Sequence, residues 1–144
     1  MRLSPAGDLM MTALPITLVT AAAATLLNIW LGLRIGQFRG KFKVSVGDGG
    51  HEPLLRRMRA QANYIESAPF VLILIAALEM SGASRTGLGL IGAIYLLVRI
   101  AHAIGMEAAE KRRWREIGAM GTGFVMLALS FWAIALVAMH GLAR

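Results

Sequence analysis

A chain of 144 residues that is 57% hydrophobic and only 16% charged, with a mean hydropathy of +0.63, is too apolar for an ordinary water-soluble domain and reads as a membrane protein. Fifteen Lys and Arg against eight Asp and Glu leave a formal charge of +7; in a soluble protein that excess suggests nucleic acid, but here it gathers in loops, so no nucleic-acid partner is expected. The absence of cysteine excludes disulfides, thiolate metal sites and a cysteine nucleophile of the protein's own, so any thiol chemistry must use another molecule's sulfur.

In chain order, the first apolar run extends from Met10 to Leu33, about 24 residues, which is longer than a signal-peptide core and predicts a retained spanning helix over about 9–36. The basic segment that follows contains V-G-D-G-G at 46–50, a turn signal. Two shorter uncharged runs come next, Ser67 to Leu78 and Thr86 to Val98, of 12 and 13 residues. A span needs about 20 residues, so these become membrane helices, over about 57–81 and 86–112, only by taking in Asn63 and Glu66 on one and Arg99 and His102 on the other. The last run, Ile117 to Met139, predicts a fourth helix over about 116–140. The fold class expected is therefore an all-α, four-helix transmembrane bundle forming one domain.

Polar groups inside a span should face the bundle interior, because a charge facing lipid costs at least ~2.5 kcal/mol. The S-G-A-S-R link makes the middle helices an antiparallel hairpin, and counting outward from Ala83 places their polar residues at matched depth. Glu66 lies 17 residues back and Arg99 16 forward, Asn63 20 back and His102 19 forward, Arg59 24 back and Met106 23 forward. Helical spacing lines each set into one stripe. Arg113 extends the second stripe if the third helix continues through E-A-A-E-K-R-R. Two readings of the stripes remain open: Glu66 and Arg99 neutralise each other and fix helix register, or the stripes hold a ligand.

Seven Lys and Arg lie from Arg34 to Arg59 and four from Lys111 to Arg115, whereas the opposite end carries only Arg2, Arg85 and Arg144. This asymmetry predicts both termini outside and the basic loops in the cytoplasm, with Arg56 and Arg57 read as topology signals. G-L-G-L-I-G at Gly87 to Gly92 matches a dinucleotide fingerprint by letter only, lacks the strand such a site needs, and reads as close helix packing. Gly32 and Gly36 form a G-x-x-x-G pair that lets a neighbouring helix approach. His51, His102 and His140 lack metal-ligand spacing, so no metal is expected.

The stretch R-A-Q-A-N-Y-I-E-S-A-P, preceded by G-D-G-G-H-E-P-L-L-R-R, resembles the second-helix signature of bacterial members of the MAPEG family, the membrane-associated proteins in eicosanoid and glutathione metabolism. Y-L-L-V-R-I-A-H-A-I-G-M is similar to that family's third helix. The resemblance implies a left-handed bundle, a homotrimer in a bacterial inner membrane, and glutathione as cosubstrate near the cytoplasmic face between subunits. It also implies that Arg59, Asn63 and Glu66 hold the tripeptide, that Arg113 holds its sulfur as thiolate, and that Arg34 serves the second, lipophilic substrate. Arg99 and His102 join the binding set through their stripe. Ser67, His102 and Met106 stand where many relatives have tyrosine.

Glutathione carries two carboxylates, one ammonium and a thiol, so its site needs several cations and an anion. Arginines can take carboxylates bidentately while Glu66 accepts from the ammonium. A thiol of pKa ~8.5 ionises at neutral pH when a guanidinium favours the thiolate by about 2.7 kcal/mol. The thiolate then attacks a bilayer-dissolved electrophile or reduces a lipid hydroperoxide, making a glutathione-dependent transferase or peroxidase the expected activity. The alternatives are a small transporter with Glu66 as its proton-coupled acid, and a non-catalytic trimeric scaffold.

Overall fold

Pro15 opens α1, Pro15–Phe42, at the first helical position, where a missing N–H is harmless. The structure, a computed structural model, describes residues 14–107 and 109–141, so the expected start of this helix at residue 9 lies outside the described residues. The helix continues six residues beyond the expected 36, because Arg39 and Lys41 in its last turn suit the negative end of the helix dipole. Lys43, left-handed at φ 54°, then closes it. The V-G-D-G-G turn is built as anticipated, with Gly47, Gly49 and Gly50 all at positive φ, where a side chain is strained.

Glu52 and Pro53 start α2, Glu52–Met80, five residues before the expected position, the acid favouring the positive end of the dipole and pairing with Arg56 one turn on. A four-residue link holding Gly82 at φ 79° leads to α3, Arg85–Gly105, whose Ser84 cap accepts the Gly87 N–H at 3.3 Å. A short 3₁₀ turn, Ala109–Lys111, precedes α4, Arg112–Gly141. The third helix therefore stops seven residues before the expected 112, and Arg113 belongs to the fourth helix, not to the stripe of Arg99 and His102. The cause is Gly105: a Cβ there would lie 2.0 Å from the Arg115 backbone nitrogen, so α4 crosses directly over the end of α3.

All four helices are long and apolar enough to cross a membrane, and the described residues contain no strand. Cross-helix contacts set the register. Gln61 donates to Asn28 Oδ1 at 3.2 Å and the Tyr64 hydroxyl to the Ala24 carbonyl at 2.6 Å, which run α1 and α2 antiparallel. Ser67 Oγ meets the Tyr95 hydroxyl at 3.0 Å, both buried, tying α2 to α3. Leu27, Leu31, Val71, Ile75, Leu88, Val125 and Leu129 fill the core around these bonds.

Glycines bring α3 close to its neighbours. A Cβ on Gly118 would fall 2.4 Å from His102 Cβ, and one on Gly121 2.6 Å from Val98 Cγ1. Gly87 lies against Trp132 and Gly92 against Thr20, so the G-L-G-L-I-G letters serve helix packing, as expected. Of the G-x-x-x-G pair, Gly32 faces the Gln61 amide and Gly36 has none of the described residues within 4 Å of an added Cβ.

At the end opposite the basic loops, α1 has no side-chain cap of its own. Glu79, 6% exposed near the end of α2, fills that role from another helix. It accepts from Ile16 N at 3.0 Å, Thr17 N at 2.8 Å and the Thr17 hydroxyl at 2.7 Å. A carboxylate that ends the apolar run in sequence is thus fully engaged at a positive helix end.

Candidate functional site at the basic end of the bundle

His102, 5% exposed, lies between three helices. Its Nδ1 is 3.2 Å from the Arg115 carbonyl, which can only accept, so Nδ1 carries the proton. That leaves Nε2 as the acceptor for the Asn63 amide, 3.4 Å away. The match of Asn63 with His102, expected from equal counts either side of Ala83, is therefore a side-chain contact.

Arg99, one turn deeper and 4% exposed, turns the other way. Its Nη1 donates to Thr122 Oγ1 at 3.3 Å, and that hydroxyl in turn donates to the Gly118 carbonyl at 2.7 Å. The guanidinium carbon lies 5.9 Å from the Tyr64 ring centre, and Arg99 Nε has no hydrogen-bond partner among the described residues. Glu66 acts on it only as a charge at longer range. Among the described residues no ion pair joins the two, and Glu66 is exposed on the flank of α2. Equal depth along the axis is met; direction around the axis is not.

One turn toward the basic end, a cleft of about 310 Å³ opens between α2 and the junction of α3 with α4. Arg59, Met106, Gly105 and Leu55 line it together with Arg56, Arg112, Arg115 and Glu52. The third depth-matched pair, Arg59 with Met106, is thus gathered around one space. Glu52 holds Arg56 at 2.8 Å and Glu116 holds Arg112 at 2.6 Å, so Arg59 and Arg115 are the cleft's guanidiniums without an ion pair among the described residues. Arg113 is exposed and does not line the cleft. Four guanidiniums around one opening suit an anion bearing more than one carboxylate.

Sequence reasoning missed a second cluster. Glu107, just past α3, accepts through Oε1 from Arg34 on α1 and from Arg57 on α2, the latter at 2.6 Å, with Lys111 Nζ 3.8 Å from Oε2. Arg57 also donates to the Arg34 carbonyl at 3.3 Å and lies over the Phe38 ring at 3.9 Å. Arg57 is therefore a bridge between helices as well as part of the basic loop charge. The signal available was G-M-E-A-A-E, a carboxylate two residues after a helix-ending glycine and within reach of two helix ends.

Residues 17–135 match the MAPEG family. The chain belongs to that family. It is also 28% identical over 107 residues, 74% of this chain and 81% of the relative, to Inner membrane protein YecN of Escherichia coli strain K12. The YecN of Escherichia coli O6:H1 strain CFT073 aligns with the same figures. With four helices able to cross a membrane, this MAPEG protein is a multi-pass integral membrane protein. Membership in a family associated with glutathione agrees in outline with the resemblance carried by R-A-Q-A-N-Y-I-E.

Proposed function

We propose that this protein is a membrane enzyme that binds glutathione, or a thiol peptide of the same charge pattern, at the arginine-lined cleft and delivers its sulfur to lipophilic electrophiles. One observation carries the reading: Arg56, Arg59, Arg112 and Arg115 share a cleft of about 310 Å³ one turn from the Asn63–His102 pair. Arg59 and Arg115 take the peptide carboxylates, and Asn63 and the fixed His102 ring position its backbone. The exposed Glu66 accepts from the ammonium, and Arg99 supplies positive potential from the interior.

The thiol proton leaves to solvent, the thiolate forms a bond to the electrophilic carbon, and the leaving group departs with its electron pair. With a lipid hydroperoxide the sulfur instead takes the terminal oxygen, releasing the lipid alcohol, and a second thiol then closes the disulfide with loss of water. Arg113, exposed beside the cleft, serves the thiolate where a neighbouring copy shares the peptide, so the homotrimer belongs to the same proposal. Arg34 is held by Glu107 and does not line the cleft, so it is given no part in handling the thiol. The membrane is a bacterial inner membrane with both termini outside. Since the chain lacks cysteine, a lone Ser45→Cys tests that topology: it labels with an impermeant maleimide only after the membrane is breached.

The activity is tested on detergent-purified protein with glutathione and a halonitrobenzene acceptor. Thiol-dependent turnover and a glutathione-dependent rise in unfolding temperature are expected, and Arg59→Ala weakens apparent glutathione affinity about tenfold, the equivalent of one charge-assisted contact near 1.4 kcal/mol. Absence of both turnover and thermal shift sinks the reading.

A further inference from the structure

A second opening lies between α1 and α3, away from the arginine-lined cleft. It is an apolar groove of about 310 Å³ lined by Ala23, Leu27 and Trp30 on one helix and Leu96 and Ile100 on the other. On α1 its residues follow i, i+4 and i+7, and the next step of the same face, i+11, is Arg34. Trp30 belongs to both features, since it lines the groove and its ring lies 4.2 Å beneath the Arg34 guanidinium. An apolar channel along the helix axis therefore ends at a cation.

Arg34 is not an isolated charge. With Arg57 and Lys111 it forms three cations around the single carboxylate of Glu107, leaving a surplus of two positive charges at the mouth of the groove. Glu107 Oε1 receives both guanidiniums, while among the described residues its Oε2 has only the Lys111 ammonium at 3.8 Å. The dimensions suit a lipid standing as it stands in a bilayer. The 11 residues from Ala23 to Arg34 rise about 16 Å, close to the ~15 Å depth of one leaflet.

We propose that this groove is a binding site for one anionic phospholipid of the leaflet at the basic end, with an acyl chain along Ala23, Leu27 and Ile100 and the phosphodiester at Arg34, Arg57 and Lys111. Charge complementarity selects the anionic head, and the apolar floor accepts any chain of sufficient length. The site ties α1, α2 and the α3–α4 connection together through one headgroup. It does not depend on the thiol chemistry proposed above.

The test uses the full chain, delipidated in a non-ionic detergent and titrated with dioleoyl phosphatidylglycerol, dioleoyl phosphatidylcholine or oleate, with native mass spectra and unfolding temperature as readouts. One phosphatidylglycerol retained per chain, at least tenfold more tightly than phosphatidylcholine or oleate and with a raised unfolding temperature, is the expected result. Lys111→Gln weakens retention several-fold, and Ala23→Trp, which fills the groove and leaves every charge in place, abolishes it. Equal retention of phosphatidylglycerol and phosphatidylcholine overturns the proposal, as does retention unchanged in Ala23→Trp. Oleate bound as tightly as phosphatidylglycerol overturns the phosphodiester assignment and gives the groove to a free lipophilic acid. Loss of the oligomer in Ala23→Trp, with no lipid retained by the unaltered chain, gives it to a second copy and also overturns the proposal.

Discussion

The Asn63 amide and the His102 ring, 39 positions apart in sequence, meet at 3.4 Å and join α2 to α3 one turn deeper than the arginine-lined cleft. His102 is the fixed partner, since its other nitrogen is committed to the Arg115 carbonyl. Removing only the amide leaves a buried ring nitrogen without a donor, which costs about 1–3 kcal/mol. Asn63→Leu is therefore expected to lower the unfolding temperature in detergent, and Asn63→Leu with His102→Phe to destabilise by less than the sum of the two single changes. A double-mutant cycle reads the coupling. Additivity within about 0.3–0.5 kcal/mol means that the contact carries no energy.

Glu79 makes three charge-assisted bonds to the start of α1, two of them to backbone N–H groups that have no partner within their own helix. Replacing a capping side chain costs about 0.5–2 kcal/mol, and the upper part of that range applies to a carboxylate this buried. Glu79→Leu is expected to loosen the first turn of α1 without changing the basic end. Hydrogen exchange checks it: the Ile16 and Thr17 amides should exchange faster while those around His102 keep their rates. Uniform acceleration along the whole chain points instead to global loss of structure.

The four spans are legible from runs of uncharged residues, because membrane thickness sets a length that few other constraints imitate. Depth is legible too, since rise per residue is nearly constant, and it correctly brought Asn63 to His102 and Arg59 to Met106. Azimuth is not. Glu66 and Arg99 stand level, yet Arg99 turns to Thr122 on a helix whose rotation depends on Gly118 and Gly121. The Glu107 cluster is hidden for a related reason, as its geometry requires α3 to end at Gly105, and that ending is imposed by α4 from outside the local sequence.

That close approach makes its own demand. The nearest atoms to an added Cβ at Gly118 are His102 Cβ at 2.4 Å and its backbone at 2.6 Å, neither of which can swing aside. Gly118→Ala is expected to push α4 off α3 at a cost of about 1–3 kcal/mol, the usual range for overpacking. It should also break the His102 contact to the Arg115 carbonyl. Gly123→Ala, where none of the described residues lies within 4 Å, is the control and should gain up to about 1 kcal/mol from reduced backbone freedom. Thermal unfolding of both variants decides it, and equal effects would show that helix propensity, not packing, governs the seam.

Arg34 and Arg57 come from different helices to one oxygen of Glu107, so the carboxylate is what allows two guanidiniums to share so small a space. Glu107→Gln keeps the shape and removes the charge, leaving the two cations to repel each other across partly solvated ground. Full burial would make loss of one partner cost about 3–5 kcal/mol. With 24% of the Glu107 side chain exposed, water and counterions offset much of that, and about 1–2 kcal/mol is the expected loss. Because the residual term is cation repulsion, raising the ionic strength toward 1 M, where screening acts within ~3 Å, should recover most of the stability of Glu107→Gln while changing the unaltered protein little. Unfolding temperatures at low and high salt read the difference, and a deficit independent of salt assigns the role of Glu107 to hydrogen-bond geometry rather than charge.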